Sequence, residues 1–218
     1  MFWSLFAVSA AAAVVYGLFF LNAPESTGRA ALKTAMMAAL AAAFAGIGAP
    51  WVVVLAMVAA AIGDFLLAFD KPAILPFGVL AFLICQLAYF YIFFTHFTFD
   101  GAPTPPRYIA IVAILAVALG FLVWMGPKLG AMTIPVIVYS VAICAMASSA
   151  FLLPWRGWPA MAGVALFLTS DFVLSAELFR LPPEAAARRI TTPVVWWTYA
   201  AAQLLIAWGL LCVLGMAT

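Results

Sequence analysis

The chain has 218 residues, of which 69% are hydrophobic and only 7% charged, and its formal net charge is +2. A soluble domain is about 45–50% apolar and about 25% charged, so this chain lacks the polar residues to cover a water-facing surface. The near-neutral balance, with no basic patch, excludes a nucleic-acid partner; the partner that the composition requires is the lipid bilayer.

Each crossing of a hydrocarbon core takes roughly 20 apolar residues, so eight crossings use about 160 and leave only short loops. The expected fold is all-α: a polytopic membrane bundle of about eight transmembrane helices, forming a single domain over residues 1–218. In chain order the spans fall at roughly 3–21, 30–47, 51–69, 73–95, 107–126, 130–153, 158–180 and 192–216. The segment Met1 to Phe20 lacks the basic start of a signal peptide and is too long for one, so it reads as the first span. A polar turn, Asn22 to Gly28, separates it from the second. Gly48-Ala49-Pro50 and Lys71-Pro72 make the next reversals, and His96 to Arg107 holds three prolines. Gly126-Pro127 and Pro154 to Pro159 break the chain again, and Arg180 to Pro193 is the longest loop. The alternating ten-residue segments of a membrane barrel do not occur.

Counting Lys and Arg orients the bundle. Odd-numbered loops carry Arg29, Lys33, Lys71, Lys128, Arg180, Arg188 and Arg189, against Arg107 and Arg156 in the even-numbered ones. This places the odd loops in the cytoplasm and both termini outside, and the composition fits a bacterial inner membrane. Trp3, Trp51, Trp155, Trp158, Trp196 and Trp197 fall near predicted ends, as an interfacial aromatic belt does. The third and seventh helices also resemble each other: Asp64-Phe65-Leu66-Leu67-Ala68-Phe69-Asp70 against Asp171-Phe172-Val173-Leu174-Ser175-Ala176-Glu177. A parallel duplication of a four-helix unit gives that match, and so does chance similarity between apolar helices.

An acid within a spanning helix costs about 2.5–3.5 kcal/mol on insertion scales, so it faces the bundle interior and serves a purpose there. Asp64 and Asp171 lie about five and about nine residues from the cytoplasmic ends of their spans, or roughly 8 and 13 Å deep. Each needs a partner or a bound proton. Lys33, Tyr139, Tyr199 and Gln203 fall in the same slab, with Gln86 and Tyr89 deeper; the i,i+4 spacing puts Tyr199 and Gln203 on one face. Together they can line a polar chamber open to the cytoplasm. Plainer readings stand beside this one: the aspartates and Lys33 as a structural ion network, Lys33 as a snorkelling anchor, and the Tyr and Gln groups as interhelical hydrogen-bond links. Asp70, Glu177 and Glu184 read as a solvated rim beside Lys71, Arg180 and Arg188, and the single histidine, His96, as a solvated loop residue.

Cys85, Cys144 and Cys212 lie in apolar runs without CxxC spacing and read as small core residues. With one His and these scattered Cys there is no zinc ligand set, and no His-bearing triad or GxSxG elbow. If the chain is an enzyme, its tools are two carboxylates and neutral polar helpers, without metal or other cofactor.

These residues resemble the lysoplasmalogenase (YhhN-like) family of membrane proteins. The resemblance rests on Gly63-Asp64 with Leu66-Leu67, Phe77-Gly78, Phe82-x3-Gln86-x2-Tyr89, Gly163-x3-Phe167-x2-Ser170-Asp171 and Tyr199-x3-Gln203, in that order across most of the chain. Lys33 fits the family's early lysine, and Gln86 stands where the family often has His. The resemblance implies hydrolysis of the vinyl ether of a lysophospholipid substrate, a lysoplasmalogen, to a fatty aldehyde and a glycerophospho-head group. It implies Asp64 and Asp171 as the catalytic acid and base, in either order, with Lys33, Gln86, Tyr139, Tyr199 and Gln203 holding substrate or water. A small-molecule or proton-coupled transporter and a lipid-binding protein without chemistry are the competing classes that buried acids also permit.

Overall fold

The computed structural model describes residues 1–69, 71–96, 104–182 and 184–216, and among them the chain is helical with no strand. The helices are α1 (Phe2–Val15), α2 (Thr27–Gly46), α3 (Trp51–Leu66), α4 (Leu75–Thr95), α5 (Pro105–Leu129), α6 (Thr133–Phe151), α7 (Trp158–Phe179) and α8 (Arg188–Leu214). A π-helical turn, Tyr16–Phe20, prolongs α1. Five stretches are long and apolar enough to cross a membrane: Phe2–Phe20, Leu75–Thr95, Pro105–Phe151, Trp155–Phe179 and Arg188–Leu214. The third of these is α5 and α6 together. Forty-seven residues would reach about 70 Å if straight, against a hydrocarbon core of about 30 Å. The chain instead reverses at Gly130, whose φ of 51° is a left-handed conformation that a side chain resists, and α6 packs back on α5.

The chain forms two compact units, Met1–Ile92 and Phe93–Thr218. In the first, α1 packs on α2 and α2 on α3. The Ser26 side chain accepts from the Arg29 amide at 3.1 Å and caps α2. This is why α2 begins at Thr27, three residues ahead of the expected start. The α3 helix ends at Leu66 rather than at residue 69, because Leu67 turns out of the helical region at φ −78°, ψ 2°. Phe2 sets its ring edge-on against Phe44 at 5.3 Å, joining α1 to α2.

In the second unit α7 and α8 form the most extensive helix pair. Small residues make that contact close. A Cβ built on Gly209 would stand 2.3 Å from the amide nitrogen of Ala160, and one on Gly163 would stand 2.7 Å from the carbonyl oxygen of Ala202. Backbone meets backbone at both points, the arrangement that lets apolar helices associate where lipid offers no hydrophobic drive. The α8 helix also begins earlier than expected, at Arg188 rather than 192, and continues through Pro193. Proline removes one helical hydrogen bond, but side chains of this first stretch are tied to α7, as described below.

Because the obstacle at Gly209 is backbone and cannot rotate away, Gly209→Val is expected to lower stability by about 1–3 kcal/mol. Gly120 in α5 has open space where a Cβ would go, so Gly120→Ala should be neutral or stabilising by up to about 1 kcal/mol. Unfolding of both variants in detergent checks the contrast.

Candidate active site

In the first unit the side chain of Asp64, on the last turn of α3, is only 1% exposed as a residue. Lys33, in the second turn of α2, brings Nζ to 3.8 Å from Asp64 Oδ1. The preceding Gly63 has a separate role: a Cβ there would fall 2.7 Å from ring carbons of Phe82, so the missing side chain is what lets α4 lie against α3. Gly63-Asp64 thus turns a bare surface to one neighbour and a carboxylate to another. Gln86 follows Phe82 at i+4, on the face of α4 that meets α3, and is fully buried, as is Tyr89. The structure therefore joins Lys33 to Asp64, and it buries Gln86 in the same unit.

In the second unit Tyr139 of α6 donates its hydroxyl to Asp171 Oδ2 of α7 at 2.5 Å. Tyr199 and Gln203 lie on one buried face of α8, as their spacing predicts. The Tyr199 ring meets Phe167, one turn before Asp171, at 6.0 Å between centroids. Ser170 Oγ donates to the Val195 carbonyl at 3.0 Å, a polar link between α7 and α8 beside the acid.

Two expectations need correction. Glu177 is not part of a solvated rim: it is 5% exposed, and its Oε1 accepts from the hydroxyls of Thr191 and Thr192, the latter at 2.8 Å. Arg188 adds to this end by donating to the Glu177 backbone carbonyl at 2.6 Å and to that of Leu181 at 3.2 Å. A buried carboxylate is tolerable once hydroxyl donors replace its water. Trp196 is likewise no belt residue; it is 3% exposed and lies 6.0 Å from the Tyr199 ring, whereas Trp3, Trp51, Trp155, Trp158 and Trp197 are exposed. Glu184 is exposed as expected, and Asp70 lies outside the described residues.

Sequence reasoning did not find the pairing of Arg180 with Trp124, whose ring lies 4.6 Å from the guanidinium carbon. It also missed Phe167 as the seat of Tyr199. The i,i+4 relation of Phe167 to Asp171 was the available signal; nothing local marks Trp124, because its partner lies on another helix.

The fold and these acids within it define a multi-pass helical membrane protein with polar groups set within apolar spans. The model of the YhhN family matches residues 28–210, and the chain belongs to that family. Two proteins named lysoplasmalogenase, from Mycobacterium bovis and Mycobacterium tuberculosis, are each 36% identical to it, over 91% of this chain and 80% of their own length. No solved structure matches the chain significantly.

If Lys33 and Asp64 offset each other's burial, removing one should cost more than removing both. Lys33→Met should destabilise by about 3 kcal/mol, and adding Asp64→Asn should restore much of that. A double-mutant cycle of unfolding in detergent reads the coupling, and additive losses would contradict the pair.

Proposed function

We propose that this chain hydrolyses the vinyl ether bond of lysoplasmalogens, releasing a fatty aldehyde and a glycerophospho-head group, with Asp171 as general acid and Asp64 as general base. Family membership and the name shared by its relatives support the reaction; they do not favour a transporter. The observation that carries the assignment of roles is the difference between the two acids' partners. Asp64 faces an ammonium, which stabilises a carboxylate and so suits the group that activates water. Asp171 accepts on Oδ2 from the phenol of Tyr139, a neutral donor, which suits the group that gives up a proton.

The chemistry then balances. Asp171 gives its proton to the alkenyl carbon remote from the ether oxygen, and the carbon bearing that oxygen becomes an oxocarbenium ion. Water adds to this carbon while Asp64 takes the proton, forming a hemiacetal. Collapse of the hemiacetal breaks the carbon–oxygen bond to glycerol, with a proton passing to the leaving oxygen, and frees the aldehyde. One carboxyl that donates and one carboxylate that activates water are the same two roles that glycoside hydrolysis divides between its acids. Gln86, Tyr199 and Gln203 are proposed to orient water or the head group, and Lys33 to attract the lipid phosphate.

The same reading takes α1 to α8 as eight crossings in two parallel four-helix halves. Supporting it, the boundary between the compact units falls near the end of the fourth helix. In each unit, moreover, an aspartate on the third helix meets a side chain from the second. The Lys and Arg distribution supports both termini lying outside, and the composition supports a bacterial inner membrane.

Aldehyde release from a defined lysoplasmalogen by the purified protein in detergent tests the proposal. Asp64→Asn and Asp171→Asn should each lose at least about 100-fold in turnover while remaining folded, the size of a general acid or base contribution. Tyr139→Phe should lose less, since it removes only one hydrogen bond to the acid. Normal turnover in either folded Asn variant would overturn the mechanism.

A further inference from the structure

Two arginines of the second unit are spent on its own backbone. Arg107 donates to the Leu153 carbonyl at 2.7 Å, and Arg188 to those of Glu177, Leu181 and Pro182. Arg180 is not spent in this way. Among the described residues its guanidinium makes no hydrogen bond or ion pair, and its Nε is buried without a partner.

Its position is unusual as well. Arg180 follows the last residue of α7, where a long basic side chain ordinarily reaches outward to water. Its guanidinium carbon instead stands over the ring of Trp124, 4.6 Å from the centroid. Trp124 lies five residues before the end of α5 and so roughly 7 Å inside it. The Trp124 ring is 5.6 Å from that of Phe121, and Phe121 stacks at 4.7 Å on Phe172, the chain neighbour of Asp171. Rings thus lead along the α5–α7 face from beside the acid to the guanidinium. Phe121 and Trp124 are one turn apart, so the guanidinium stands one to two turns, about 5–10 Å, beyond the level of Asp171.

That separation has a counterpart in the substrate. Six bonds join the carbon that becomes the oxocarbenium ion to the phosphorus of a lysoplasmalogen. An extended chain advances about 1.2 Å per bond, which gives about 7 Å. A guanidinium seated on an aromatic face is held in place, and it keeps a fork of N–H donors that matches a phosphate.

We infer that Arg180, seated on Trp124, holds the phosphate of the lysolipid and so sets where the vinyl ether stops beside Asp171. The inference rests on the hydrolase reading and names the group that makes the substrate a lysophospholipid and not an alkenylglycerol.

Kinetics on a lysoplasmalogen and on the 1-alkenylglycerol of the same chain, which lacks the phosphate, test it. Wild type should prefer the phosphate-bearing substrate by about 10- to 100-fold in kcat/KM, the contribution of a hydrogen bond to a charged group. Arg180→Gln should lose most of that preference, chiefly through KM, as loss of uniform binding requires. Arg180→Lys, which keeps the charge without the fork, and Trp124→Leu, which removes the seat, should fall between. Should Arg180→Gln fail to fold, Arg180→Lys carries the same comparison. An undiminished preference in a folded Arg180 variant, or an equal loss on both substrates, would overturn the inference.

A second arm needs no turnover. A non-hydrolysable alkyl-ether lysophospholipid should bind the wild type in detergent more tightly than the 1-alkylglycerol of the same chain, and Arg180→Gln should bind the two alike. Equal competition by a two-chain phospholipid would make Arg180 a contact for the bulk bilayer, and displacement by equimolar inorganic phosphate would make it a site for free anions. Either result would overturn the inference. Absence of aldehyde release by wild type would instead count against the hydrolase reading, and the binding arm would still decide the phosphate site.

Discussion

A carboxylate in an apolar span must be met by another group or it empties the helix from the membrane. That single requirement organises both units. Asp64 is met by an ammonium from α2, and Asp171 by a phenol from α6. Neither partner is local in sequence, so each pair also fixes how two helices of its unit sit against each other. The cost of placing an acid within hydrocarbon, a few kcal/mol, is a sizeable fraction of the net stability of many domains. These contacts therefore bear on folding as well as chemistry.

The two acids are met differently, and that difference is what allows roles to be assigned. A permanent cation keeps a neighbouring carboxylate ionised. A neutral hydroxyl meets a carboxyl oxygen without holding the group as an anion. A hydrolase of enol ethers needs one group of each kind. The proposed mechanism thus follows from partner identity, without appeal to a metal or an activated nucleophile.

Composition and breaker residues made the helical class legible, because hydrophobic length is a one-dimensional property. The acids were legible too, since charge inside an apolar run stands out in a single sequence. What could not be read was pairing. Lys33 and Tyr139 were recognisable as polar groups at the right depth, but only three-dimensional packing says which acid each one meets. Glu177 shows the opposite failure. Its place near Arg180 pointed to solvent, whereas Thr191 and Thr192, on the far side of a loop, supply the donors that bury it. Helix ends failed where a side chain intervened: Ser26 extended α2 backward, and the ties of Thr191, Thr192 and Arg188 carried α8 past its proline.

The fastening of α7 to α8 has a mechanical consequence. Backbone contact at Gly209 and Gly163, the Ser170 bond to Val195, and the Glu177 clasp hold the pair at successive levels along its length. Sliding one helix past the other would drive backbone into backbone, and splaying their ends would strand a buried carboxylate. The two helices therefore behave as one stiff strut. Tyr139 from α6 bonds to that strut, and Phe121 from α5 stacks on its Phe172 at 4.7 Å, so the Asp171 carboxyl is seated against a fixed frame and not on a helix that can shift past its neighbours.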